Sequence, residues 1–99
     1  MIVHVQALHF DADNKLVDYV EKKIEKLQHY HDRIIKVDVF LILDNVVHTI
    51  KDKVAEIRVH VPKCDFFVKA SSKSFEASFD EALEALIQQI KKKKEKQAA

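Results

Sequence analysis

Residues 74–96 read SFEASFDEALEALIQQIKKKKEK, and the reading of this stretch decides the fold. Up to Ile90 the apolar side chains Phe75, Phe79, Leu83, Leu86 and Ile90 recur at three- and four-residue spacing. That period marks an amphipathic helix, and Ser74 stands where its N-cap belongs. After Ile90 the stripe stops, and five lysines follow in six residues. The front half has to bury its stripe against a sheet or another helix. The back half has nothing to bury and suits a polyanionic partner.

The preceding residues supply what that helix packs on. Ile2 to Leu8 alternates, with Val3, Val5 and Ala7 on one side and His4 and Gln6 on the other, as in a half-buried strand. Asp13 is placed to cap a helix running to about Tyr30, with Leu16, Val17, Val20, Ile24 and Leu27 as its buried stripe. Asp32-Arg33 breaks that pattern. Ile35 to Leu43 is the strongest strand signal, with Ile35, Val37, Val39, Leu41 and Leu43 facing one way. A polar connection from Asp44 to Lys53 leads to a third strand, Val54 to Val61. Pro62-Lys63-Cys64-Asp65 reads as a tight turn, and Phe66 to Ala70 as a short fourth strand.

The order β-α-β-β-β-α, with one apolar face per strand and two amphipathic helices, predicts an α+β fold. The economical solution is a four-stranded mixed sheet with both helices packed on one face. Residues 1–90 form this single domain in the expectation, and 91–99 a lysine-rich helical extension or tail. The other sheet face carries His4, Gln6, Lys36, Asp38, Phe40, Glu56, Arg58, His60, Phe67 and Lys69. It reads as a solvated face, because Phe40 and Phe67 form no base-stacking pattern of the kind four-stranded RNA-binding sheets use.

Composition narrows the function. The chain has 99 residues, 47% of them apolar, which is the profile of one globular domain. It contains no glycine, so phosphate-cradling loops and dinucleotide fingerprints are excluded. The one cysteine, Cys64, rules out an internal disulfide framework and fits a reducing cytosol. No apolar run approaches the ~20 residues of a membrane span, and the start MIVHVQALHF lacks the basic region of a signal peptide. No catalytic constellation, metal set or cofactor motif is found. The adjacent ligands His29 and His31 lack a second cluster and read as helix-end residues.

Net charge is only +1, so the distribution of charge has to decide the partner. On the first helix, at ~100° per residue, Asp18, Glu21 and Glu25 fall on one flank of the apolar stripe. Lys22, Lys23 and Lys26 fall on the other, beside Tyr19 and Tyr30. On the last helix the acids Glu76, Asp80, Glu81 and Glu84 come first and Lys91 to Lys96 last. Matching to the helix dipole explains part of that bias, yet five lysines exceed what one helix end can use. Phosphate neutralisation and plain solubility both remain open for the tail.

The runs DYVEKKIEKL, DRIIKV, KVAEIRV, SFEASFDEAL and QQIKKKKEK together resemble the ribosome hibernation-promoting factors, also called ribosome-associated inhibitors or sigma-54 modulation proteins. The resemblance covers nearly the whole chain, in order, and is to the short form. It implies the same β-α-β-β-β-α fold and a cytoplasmic protein that binds the small ribosomal subunit near the decoding site. There it would block messenger and transfer RNA during starvation. The family's basic first-helix positions match Lys23 and Lys26, and its C-terminal lysines match Lys92, Lys94 and Lys96. Three departures stand out: Glu76 where a tyrosine is usual, Ala85 and Gln88 where basic residues are common, and Pro62-Lys63-Cys64 in place of a glycine turn.

The expectation is therefore a non-enzymatic, monomeric ribosome-binding inhibitor. Lys22, Lys23, Lys26, Lys92, Lys93, Lys94 and Lys96 would contact phosphates of ribosomal RNA. The alternative is a divergent member that acts as a protein-interaction module on the same fold, with no ribosome binding.

Overall fold

The computed structural model describes residues 1–44 and 53–98, with side chains through Lys94. The connection between Asp44 and Lys53 and the side chain of Lys96 lie outside the described residues. The elements are β1 (Ile2–Leu8), α1 (Asn14–Ile24), a 3-10 segment (Glu25–His29), β2 (Lys36–Leu43), β3 (Lys53–Val61), β4 (Cys64–Ser72) and α2 (Phe75–Ala98). The sheet order is β1-β2-β3-β4. β1 and β2 are parallel across the α1 connection, while β2–β3 and β3–β4 are antiparallel. This is the expected α+β layout.

One sheet face and both helices share a single core. Val37, Val39 and Leu41 of β2, Ile57 and Val59 of β3, and Phe66 and Val68 of β4 point into it. They meet Leu16, Val20 and Ile24 of α1 and Phe75, Phe79, Leu83, Leu86 and Ile90 of α2. Register places Ile57 opposite both Val39 and Val68, so β2, β3 and β4 stack their side chains in rows. Both helices start on their predicted caps. Leu16 N–H donates to Asp13 Oδ1 at 2.8 Å, and Ala77 N–H to Ser74 Oγ at 3.1 Å.

Three local expectations change. The first helix is α-helical only to Ile24, and Glu25–His29 is wound as 3-10 helix. No glycine is available to end it, so the Tyr30 and His31 amides both donate to the Leu27 carbonyl instead. Ile35 does not join the core: it is 55% exposed, and Ile34 takes the buried place. Alternation holds only along regular strand, and the chain is still turning out of the helical segment at this point. Ile35 contributes backbone alone, donating to the His60 carbonyl and accepting from the Ile2 amide.

The turn between the last strands is also tighter than expected. Cys64 and Asp65 are strand residues paired with Val61 and His60, leaving only Pro62-Lys63 as the loop. Proline fixes φ at the first loop position, and Lys63 takes a positive φ of 75° at the second, a place that favours glycine.

Candidate nucleic-acid interface

The two helices lie side by side and run in the same direction. Near their starts Phe10, which precedes α1, stacks on Phe75 with ring centroids 4.4 Å apart. Midway, Tyr19 and Lys23 meet Asp80. At their ends Lys91 Nζ lies 5.4 Å from the Tyr30 ring centroid. Parallel packing therefore brings the end of the first helical segment alongside the lysine run of α2, at one end of the molecule. The β3–β4 hairpin and the entry to β2 reach the same end, adding Lys63 and Arg33.

Helix periodicity explains how the lysines of α2 are aimed. Positions three and four beyond Ile90 continue the buried stripe, and they are Lys93 and Lys94. Lys93 is half-buried and lies 6.0 Å from the Phe66 ring centroid, while Lys91, Lys92 and Lys94 are exposed. Lys93 and Lys94 overhang the hairpin and close a cleft of about 330 Å³ with His31, Arg33 and Lys63.

The predicted phosphate ligands fall into three situations. Lys22 and Lys26 are exposed on α1. Lys92, Lys93 and Lys94 sit at the basic end on α2. Lys23 instead faces α2: its ammonium donates to Asp80 Oδ1 at 2.8 Å and lies 4.7 Å from the Tyr19 ring centroid. Tyr19 OH donates to the same carboxylate at 2.8 Å. Hydrogen bonding to Asp80, with a smaller contribution from Tyr19, raises the Lys23 pKa above 10.5. The pair is separated by 57 residues in sequence, so no periodicity could reveal it. Arg33, Lys63 and Lys91 were not among the predicted ligands. Lys91 belongs to the lysine run itself, but Arg33 and Lys63 carry no local signal beyond their charge.

The open sheet face is internally balanced. Asp38 lies 3.5 Å from both Lys36 and His60, His60 lies 3.0 Å from Asp65, and Lys69 lies 3.7 Å from Glu56. Arg58 sits between two rings, 5.8 Å from Phe40 and 5.3 Å from Phe67. The two aromatics are thus occupied by a guanidinium from the strand between them.

A family model described as Sigma 54 modulation protein / S30EA ribosomal protein matches residues 3–98. The chain belongs to this family. Among S30EA-family relatives, a ribosome hibernation promoting factor of Azotobacter vinelandii is 33% identical over 97 residues, covering 98% of this chain and 86% of the relative. One of Pseudomonas putida is 29% identical, covering 98% and 90%. Two solved structures share the fold. A ribosomal subunit interface protein from Coxiella burnetii superposes with a TM-score of 0.84 at 21% identity, covering 95% of this chain and 98% of that one. The N-terminal domain of Thermus thermophilus Protein Y gives 0.78 at 28% identity, covering 93% and 98%. Glu76, Ala85 and Gln88 are all exposed on α2. The middle of the exposed α2 surface is therefore not basic, and its positive charge lies towards the end.

Proposed function

We propose that this protein is a cytoplasmic, non-enzymatic ribosome-binding inhibitor that occupies the decoding region of the small subunit and excludes messenger and transfer RNA, as a monomer, in starvation or stationary phase. Family membership over nearly the whole chain supports ribosome association. The observation that carries the RNA contact is the parallel packing of the helices, which gathers Lys91 to Lys94 with Arg33 and Lys63 at one end. Lys22 and Lys26 extend that surface along α1. Lys96 would add to the same end. Ribosomal RNA presents a fixed shape, so phosphate contacts suffice and base readout is not required.

The test is co-sedimentation with small subunits on sucrose gradients, together with inhibition of a purified translation system. A complex held by about six phosphate contacts weakens by about 10³ between 50 and 200 mM salt. The expected result is binding at low salt that is lost at high salt. Binding indifferent to salt would sink the electrostatic account. Recovery of a protein partner that survives RNase and contains no ribosomes would favour docking through the open sheet face instead.

A further inference from the structure

The cations of this protein are not equivalent. Lys23, Lys36 and Lys69 each have a carboxylate within 4.0 Å, and Arg58 is held between two rings. Around the cleft at the helix ends the pattern reverses. Among the described residues, Arg33, Lys63, Lys93 and Lys94 all line it and none has a carboxylate at ion-pair distance. His31 joins them, and Asp32 is the one acid among the lining residues. Four cations from three separate segments thus converge, against one acid and with no ion pair among the described residues, on a cleft of about 330 Å³.

Such convergence works against folding unless an anion answers it. Dipole complementarity does not account for it, because Lys63 lies on a hairpin and Arg33 on the entry to β2. Lys93 and Lys94 also stand at the positions where the buried stripe would continue, and Lys93 is half-buried there. The volume lies at the small end of the range for ligand sites, about 300–1,000 Å³. It suits one nucleotide.

We propose that this cleft is a discrete subsite for a single phosphate group of an RNA strand, with the attached nucleoside resting against Pro62 and Cys64. The assignment rests on the ribosome reading for the source of the RNA, and adds where one nucleotide is gripped. Arg33 and Lys63 hold the phosphate from one wall, and Lys93 and Lys94 from the other. Cys64, half-buried and part of the lining, is a built-in reporter because it is the only thiol in the chain.

The experiment follows alkylation of Cys64 in the full chain by N-ethylmaleimide, an uncharged reagent that does not compete for the cations. A single-stranded hexanucleotide, uridine 5′-monophosphate and inorganic phosphate are titrated at constant ionic strength. The expected result is protection by the hexanucleotide at concentrations where the two small anions protect little. Lys63→Gly and Arg33→Gln should each raise the hexanucleotide concentration for half-protection about tenfold, the loss of one charged contact. Lys63→Gly also suits the positive φ, so weaker protection in this variant cannot be put down to misfolding. Protection unchanged in both variants, or absent with every anion, overturns the proposal. Equal protection by free phosphate or nucleotide overturns it in favour of a small-anion site. Ribosome co-sedimentation without Cys64 protection removes the cleft assignment alone. Protection by RNA without co-sedimentation supports the cleft and removes the ribosome reading.

Discussion

Lys23 shows how one side chain is claimed by the fold before any partner arrives. Its raised pKa means that the ion pair with Asp80 contributes fully below pH 10.5 and is lost only as pH rises through the higher folded value. Asp80→Asn should lower stability by about 1 kcal/mol, since it weakens contacts to both Lys23 and Tyr19. Denaturant melts of wild type and Lys23→Met test the pH dependence: the gap should be constant through neutral pH and narrow above pH 10.5. The double variant Lys22→Gln/Lys26→Gln should leave stability within about 0.5 kcal/mol. It should also lower the salt slope of ribosome binding by about one unit per lost phosphate contact. Lys63 carries the opposite kind of cost, a β-carbon at positive φ, and Lys63→Gly should stabilise the fold by about 0.5–1 kcal/mol in the same melts.

At the scale of the element, α2 combines two jobs along one axis. Its N-terminal half is core, and the fully buried Ser78 is the one polar residue on the described stripe. Ser78 Oγ is 2.6 Å from the Lys53 carbonyl and 2.9 Å from the Ser74 carbonyl, so its hydroxyl ties the helix to the start of β3. Ser78→Ala should cost about 1–2 kcal/mol, measured as a shift of the denaturation midpoint. Phe79→Ala, which empties a fully buried ring site, should cost about 3–5 kcal/mol. The apolar spacing and both caps were legible because they are local. Ser78 was not, because its partner on β3 is 25 residues away in sequence.

For the molecule as a whole, the decisive feature is where charge ends up. Removing residues 92–99 should leave the domain folded, since Ile90 is the last core residue among the described residues and the ring contact of Lys93 is worth only about 1 kcal/mol. The same truncation should abolish most ribosome binding, checked on the gradients described above. Strand and helix order, sheet class and the buried stripes follow from period-two and period-3.6 patterning, so the sequence determined the architecture. It also determined that α2 ends in lysines, though not what those lysines face.

Tertiary structure alone decided which cations are free. Pairing across β2, β3 and β4 set Asp38, Glu56 and Asp65 near their bases and put Arg58 between Phe40 and Phe67. Helix packing gave Lys23 to Asp80. Parallel helices and a two-residue hairpin brought Arg33, Lys63, Lys93 and Lys94 around one cleft. Periodicity reports which face a residue is on, because it depends on the next turn or the next residue. Ion pairing depends on register and helix packing, which join residues distant in sequence.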